Sequence, residues 1–280
     1  MDPAVRTRNE RINRLGIGLS YLVTAAVGLL LAAIVGYLLW NGWPRLSAAF
    51  FLHHPEDLGR GGGILPVILS TVLLGGLSLL IAVPLGVCTA VYLTEYTTEG
   101  RLTTAIRFGA ECLAGIPSII FGLFGFILFV VTLGMGWSIL AGALTLACMV
   151  LPTIIRTAEE AIKAVPAGLR DVGYSLGATK SQVVWHIVLP EARPGIMTGI
   201  ILALGRALGE TACVIFTTGV SLETPMSLLD PGRPMAVHFY ILAREGLSME
   251  MAYTTALTLV GLILLVNVGA AWLLARKRSS

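Results

Sequence analysis

Six long apolar stretches constrain the fold of this chain more than any other feature. A helix needs about 20 apolar residues to cross a bilayer core of ~30 Å. Only 12% of the residues are charged, about half of the roughly 25% that is usual for a soluble domain. The sequence therefore excludes a soluble globule and predicts an all-α polytopic membrane protein with six transmembrane helices. The predicted spans are residues 15–40, 64–92, 112–133, 139–155, 195–220 and 251–274.

The basic residues indicate how these spans are oriented. Fourteen of the 19 Lys and Arg residues fall in the segments on one side, four fall on the other side, and Arg206 lies within a span. Positive residues concentrate on the cytoplasmic side of membrane proteins, so both termini are predicted to be cytoplasmic. The resulting divisions are a cytoplasmic segment 1–14, a signal anchor 15–40, an extracytoplasmic loop 41–63, a transmembrane domain 64–275 and a basic cytoplasmic tail 276–280.

Sequence motifs of nucleotide and metal sites are absent. The chain has no GxxxxGK[ST] loop for phosphates and no HExxH pair for a metal. Its four cysteines lie in apolar runs without CxxC spacing, which argues against a zinc site. We therefore expect no catalytic residues, no metal, no cofactor and no nucleic-acid partner for this chain.

The longest predicted cytoplasmic loop, residues 156–193, contains an amphipathic pattern between Pro166 and Pro190. Asp171 lies near the start of the predicted helix, where a negative charge is favoured. Such a helix either lies in the lipid interface or docks into a groove of a partner protein. Its low content of basic and aromatic residues favours the partner. The apolar positions recur at helical spacing, and they are Leu169, Val172, Leu176, Val183, Val184 and Ile187.

The same loop carries a spaced motif that resembles the EAA loop of ABC-importer permeases. Asp171-Val172-Gly173 is followed by Gly177 and later by Leu189-Pro190. In that family the loop forms coupling helices that contact the cytoplasmic ATPase subunits. The usual Glu-Ala-Ala start is replaced here, which affects only the fit of the first turn. The resemblance implies a set of ATPase-coupling residues, namely Asp171, Gly173, Leu176, Gly177, Ala178, Ile187 and Pro190.

Further motifs resemble the phosphate-specific permeases of this class and cover the chain from about Gly61 onward. The run Arg206 to Ala212, followed by Phe216-Thr217, is closer to the PstA type than to the PstC type. The resemblance implies the type I importer permease fold and the bacterial cytoplasmic membrane. The other matching runs are Gly61-Gly62-Gly63-Ile64, Pro84-Leu85-Gly86, Val91 to Tyr96 and Pro117 to Gly125.

The resemblance also implies the cargo and the partners. The chain would move inorganic phosphate by alternating access, next to a PstC-like second permease and under an extracytoplasmic phosphate-binding protein. Two ABC ATPase subunits would bind the ATP and Mg that drive transport. Another oxyanion stays open as the cargo. An ion-coupled carrier or a membrane enzyme is the alternative class, although neither an internal repeat nor a convergent catalytic set is visible.

Ionisable residues inside a span are costly and mark candidate functional positions. Arg206 is predicted near the middle of the membrane, with Glu210 one helical turn further along the same face. Together with Thr211, Pro117 and Ser118 they form the predicted substrate path, in which Arg206 would bind an oxyanion. The alternative is that Arg206 and Glu210 form a purely structural ion pair.

Two further features have open or modest interpretations. Arg107 and Glu111 are predicted to anchor the third span at the membrane interface. The glycine pairs Gly195/Gly199 and Gly205/Gly209 are small-residue faces suited to close helix packing. The sequence does not decide whether these glycines build the helix bundle or the contact with a second permease.

Overall fold

A computed structural model describes the backbone of residues 3–278 and the side chains of residues 13, 14 and 16–272. The predicted basic segments 1–14 and 276–280 fall mostly outside the described side chains. A short antiparallel hairpin pairs β1 (Pro55–Glu56) with β2 (Gly61–Gly62). The helices are α1 (Pro3–Gly42), α2 (Ala48–Leu52), α3 (Leu65–Val91), α4 (Arg101–Ala114), α5 (Ser118–Gly125), α6 (Ile139–Lys163), α7 (Ala167–Ser175), α8 (Lys180–Val183), α9 (Leu189–Leu208), α10 (Met235–Arg244) and α11 (Met249–Arg278).

Five of these segments are long and apolar enough to cross a membrane, and a bent pair makes a sixth. The five contain α1, α3, α6, α9 and α11, and the pair is α4 with the segment that begins at α5. Short π-helical turns extend α3 over Tyr92–Tyr96 and α5 over Phe126–Thr132. The predicted all-α architecture with six spans is therefore confirmed.

The third span, predicted over residues 112–133, begins earlier, at Arg101, and is divided into two helices. α4 ends at Ala114, α5 begins at Ser118, and the two helices are bent by 102°. The break falls at Pro117, whose extended backbone (ψ 140°) caps α5. A proline has no N–H to continue the helix and disfavours helical geometry in the residue before it.

The fifth span also differs from its prediction over residues 195–220. α9 ends at Leu208, and residues 209–220 continue as turns that are buried or half-buried except at Gly209 and Val220. In this segment Thr217 and Thr218 donate their hydroxyl protons to carbonyls three or four residues earlier. Such local bonds compete with regular helix formation. Irregular backbone at this place is tolerated because surrounding protein covers it.

The centre of the bundle is made by α3, α6 and α9. α6 carries the largest share of the main hydrophobic cluster, which includes Leu146, Met149, Val150 and Ile154. α9 approaches α6 closely because Gly195 faces Ala161 and Gly199 faces Thr157. The first glycine pair therefore builds the bundle itself. α1 packs against α11, with the Tyr37 and Tyr253 rings in an edge-to-face contact.

The prediction of a single helix between Pro166 and Pro190 is wrong, because this largely helical segment is divided into separate helices. Gly177 separates α7 from α8 and has a left-handed φ of +81°. α8 then continues through a π-helical turn, Val184–Val188, into α9. Asp171, which was predicted near the start of the helix, is the fifth of the nine residues of α7. α6 also extends past its predicted end at residue 155.

The segment between the first two spans is folded rather than a plain loop. It contains α2 and the hairpin, and Phe50 and Ile64 pack with Met235, Leu242 and Met251. α10, which the sequence did not predict, supplies two of these side chains. α2, the hairpin and α10 thus form one layer at one end of the bundle.

Candidate functional site

The structure brings Arg206, Glu210 and Ser118 together where α9 ends. Arg206 Nε lies 3.9 Å from Glu210 Oε1, and the Glu210 carboxylate also interacts with the Ser118 side chain. The Arg206 side chain is 41% exposed and that of Glu210 is 15% exposed. Glu210 lies two residues beyond the end of α9, so the prediction that it shares a helix face with Arg206 is wrong. The pair instead closes the last turn of α9, where a cation is favoured.

The other predicted path residues lie beside this pair. Pro117 caps α5 and directly precedes Ser118. Thr211 begins the buried turns, and its carbonyl accepts a 3.0 Å hydrogen bond from the Ile215 N–H. α5 packs tightly on this segment, since a Cβ added at Gly122 would lie 2.7 Å from the carbonyl oxygen of Ala212. The five predicted residues therefore form one neighbourhood, and their role in transport stays a prediction.

A second group of charges joins α4 to α6 and was not predicted as a group. Arg107 pairs with Glu159 at 2.8 Å and with Glu99 at 3.2 Å, and Glu111 pairs with Arg156. All of these side chains except that of Glu99 line a cavity of about 600 Å³ between the two helices. The sequence signal that could have indicated this group is the set of alternating charges on α6, where Arg156 pairs with Glu160 one turn later.

The predicted coupling residues divide into an inner and an outer group. Gly173 is buried, and an added Cβ would lie 2.7 Å from Ile187 Cδ1. Ala178 and Ile187 pack on the cluster around Ile162 and Val183. The outer group is exposed to the surroundings of this chain and consists of Asp171, Leu176, Gly177 and Pro190.

Leu176 of the outer group belongs to an exposed apolar surface formed by α7 and the residue that follows it. Leu176 is 83% exposed, and Leu169 and Val172, which share its helix face, are also exposed. Large apolar side chains that share one exposed face of a helix mark an interaction surface. The left-handed turn at Gly177 ends this surface and redirects the chain into α8.

The sequence profile of one protein family, described as "Binding-protein-dependent transport system inner membrane component", matches residues 82–279. This range is well over half of the chain. The chain belongs to this family. The permease is thus an inner-membrane protein, and its several apolar helices make it a multi-pass protein.

Named relatives cover nearly the whole permease. It is 32% identical to "Probable ABC transporter permease protein YqgI" of Bacillus subtilis, over 95% of this chain and 96% of that protein. It is 35% identical to "Phosphate transport system permease protein PstA 1" of Mycobacterium tuberculosis, over 84% and 81%. It is also 35% identical to "Phosphate transport system permease protein PstC" of Xylella fastidiosa, over 91% and 87%. The predicted resemblance to PstA-type permeases is confirmed.

Solved structures share the fold of the permease. A chain of the MetNI methionine ABC transporter in inward-facing conformations aligns with a TM-score of 0.60 and 22% identity, covering 76% of this chain and 94% of that one. A chain of a bacterial ABC transporter for alginate import aligns with a TM-score of 0.67 and 16% identity, covering 95% and 98%. The predicted importer permease fold is therefore confirmed.

Proposed function

We propose that this permease moves inorganic phosphate across the bacterial cytoplasmic membrane as one transmembrane subunit of an ATP-driven importer. The observation that carries the proposal is the Arg206–Glu210 pair, which ends a membrane helix in a chain related to phosphate permeases. An ionisable pair in such a position is expensive and is therefore a candidate for the ion pathway.

Arg206 would bind the passing oxyanion directly. Its guanidinium offers five N–H donors in a planar fork that matches two oxygens of phosphate. The Arg206 side chain is the more exposed member of the pair, so donors remain accessible to a ligand. Glu210 would hold the guanidinium in place, with Ser118 beside it. Binding is expected to be weak, because a tight site would trap the ion in transit.

The exposed apolar surface of α7 would contact the ATPase subunits. Leu176 and Val172 supply apolar area, and Gly177 supplies the turn that ends the contact. An amphipathic helix with these properties suits a hydrophobic groove on a partner. ATP and Mg would be bound by two such partner subunits, and this chain would contribute no ATPase site.

The remaining partners follow from the same proposal. A PstC-like permease would complete the transmembrane pathway, and an extracytoplasmic phosphate-binding protein would deliver the cargo. Both termini would be cytoplasmic, because that placement puts most basic residues inside. α7 would then also lie on the cytoplasmic side, as an ATPase contact requires.

The first experiment joins copurification to uptake. We expect a tagged permease to bring an ATP-binding subunit with it and cells to accumulate phosphate in preference to sulfate. Arg206→Gln should lower phosphate uptake at least ~10-fold at equal complex yield, as loss of a charge-assisted contact of about 1.5–3 kcal/mol predicts. Arg45→Gln, at the exposed Arg45–Glu250 pair, is the control and should transport normally.

The outcomes separate the parts of the proposal. Absence of an ATP-binding subunit from the purified wild type would refute the importer assignment. Normal uptake by Arg206→Gln would remove Arg206 from the pathway. If Glu210 acts only by holding Arg206, the double variant R206Q/E210Q should be no worse than R206Q alone, because effects within one unit are not additive.

A further inference from the structure

The Arg170 side chain on α7 donates four hydrogen bonds to three different residues. Its Nε and Nη2 donate to Glu95 Oε1 at 3.1 and 2.7 Å. Its Nη1 donates to the Val165 carbonyl at 2.7 Å, and Nη2 also donates to the Ile162 carbonyl at 2.9 Å. The four bonds occupy all three nitrogens of the guanidinium.

The partners of Arg170 belong to two different membrane spans. Glu95 lies in the π-helical turn that extends α3. Ile162 lies in the last turn of α6 and Val165 lies two residues after the end of that helix, where unpaired carbonyls attract a cation. One guanidinium therefore ties α7 to the ends of both α3 and α6. Lys180 at the start of α8 adds a second contact to the same end of α3, 5.5 Å above the Tyr96 ring.

The pair is shielded from water. The Arg170 side chain is 18% exposed and that of Glu95 is 8% exposed. A surface ion pair is screened and contributes little, whereas removing one partner of a buried pair leaves an uncompensated charge. The neighbouring Asp171 is exposed on the outer side of α7. Arg170 is thus directed toward the spans, whereas Asp171 next to it is exposed.

We propose that Arg170 and Glu95 are the positioning pair that transmits movement of α7 to the membrane spans α3 and α6. The inference rests on the proposed function of α7 as the ATPase contact. α7 itself has only nine residues, so a displacement at its exposed face reaches the spans only through rigid connections. The Arg170 bonds supply one to each of two spans. Without the pair, α7 can move while α3 stays in place, so that ATP is hydrolysed with less phosphate transported.

The test measures phosphate uptake and ATP hydrolysis on the same assembled complexes in proteoliposomes. Glu95→Gln keeps the shape of the side chain and removes its charge. We expect the phosphate moved per ATP hydrolysed to fall at least ~5-fold, the lower end of typical coupling effects between sites. Arg170→Gln should act similarly, and the double variant should be no worse than either single variant. Lys163→Gln is the matched control, because Lys163 pairs with Glu159 on its own helix.

A merely structural role would lower complex yield, uptake and hydrolysis together and would leave the ratio unchanged. An unchanged ratio in Glu95→Gln would therefore overturn the inference. If no Glu95→Gln complex can be recovered, Arg170→Lys replaces it, since one ammonium cannot reproduce this set of bonds. An unchanged ratio there would overturn the inference equally. A wild type without copurifying ATPase subunits would instead refute the proposed function.

Discussion

The Arg107 Nε donates a hydrogen bond of 2.8 Å to Glu159 Oε1 and so joins α4 to α6. The same oxygen accepts a hydrogen bond of 2.7 Å from Lys163. Glu159 is only 6% exposed, and Thr103 is the one fully buried side chain of α4 among the described residues. The position of α4 therefore depends more on this ion pair than on apolar packing.

Replacing Arg107 with Ala should loosen α4. A hydrogen bond to a charged group contributes about 1.5–3 kcal/mol, and here its loss also leaves a buried carboxylate with one fewer partner. We expect limited proteolysis in detergent to cut within α4 several times faster than in the wild type. Arg101→Ala, at the exposed first residue of α4, is the control. Equal cutting rates in both variants would contradict this account.

Substitution of Gly199 should disrupt the packing of α9 on α6. A Cβ added there would lie 2.6 Å from Thr157 Cβ and closer still to its hydroxyl oxygen. Neither helix backbone can move away without opening the buried core, so we expect Gly199→Leu to cost at least the ~1–3 kcal/mol of ordinary overpacking. Thermal denaturation in detergent measures this. Gly28→Leu on α1, which has no atom within 4 Å of its added Cβ, should unfold near the wild-type temperature.

The six spans were predictable because a span depends mainly on local composition, which a single sequence displays. The breaks within them were harder to place. Pro84, Pro152 and Pro194 lie inside α3, α6 and α9 without ending them, whereas Pro117 separates two helices. Neighbouring helices can satisfy the backbone groups that a proline frees. The difference therefore depends on tertiary surroundings that the sequence does not show.

In the candidate site too, contacts between residues close in sequence were predictable and contacts between distant residues were not. Arg206 and Glu210 were predictable as a pair because they are four residues apart. Arg107 and Glu159 are 52 residues apart, and Arg170 and Glu95 are 75 residues apart. These pairs form only because α3, α4, α6 and α7 pack together. A charge pattern within one helix can mark such residues as candidates, but it does not identify their distant partners.

Substitutions of Gly177 test the role of the turn between α7 and α8. Its φ of +81° is left-handed, and no atom lies within 4 Å of an added Cβ. Backbone strain is therefore the whole penalty, about 1–2 kcal/mol for an ordinary residue and less for Asn, which tolerates this conformation. We expect Gly177→Val to reduce copurification of the ATPase subunits several-fold and Gly177→Asn to reduce it less. Equal losses would indicate that side-chain bulk at the partner contact, rather than strain, is decisive.

His238 makes the stability of the layer formed by α2, the hairpin and α10 dependent on pH. It lies in α10, outside the candidate membrane spans, and is fully buried against Gly59. Burial, together with the nearby positive charge of Arg233, lowers the pKa of His238 from 6.5 to about 3. The folded protein therefore holds this side chain neutral at physiological pH, while the unfolded chain takes up a proton below pH 6.5.

We expect this difference to destabilise the wild type as the pH falls below 6.5. Because the depressed pKa belongs to the folded state, stability is fully present above pH 6.5 and declines steadily toward pH 3. At pH 5.5 the loss should be about 1.4 kcal/mol. Thermal denaturation in detergent at pH 7.5 and 5.5 measures it, and His238→Gln should lack this part of the pH dependence. His186→Gln, at an exposed histidine, should retain it. The same pH dependence in wild type and His238→Gln would show that His238 is not the responsible group.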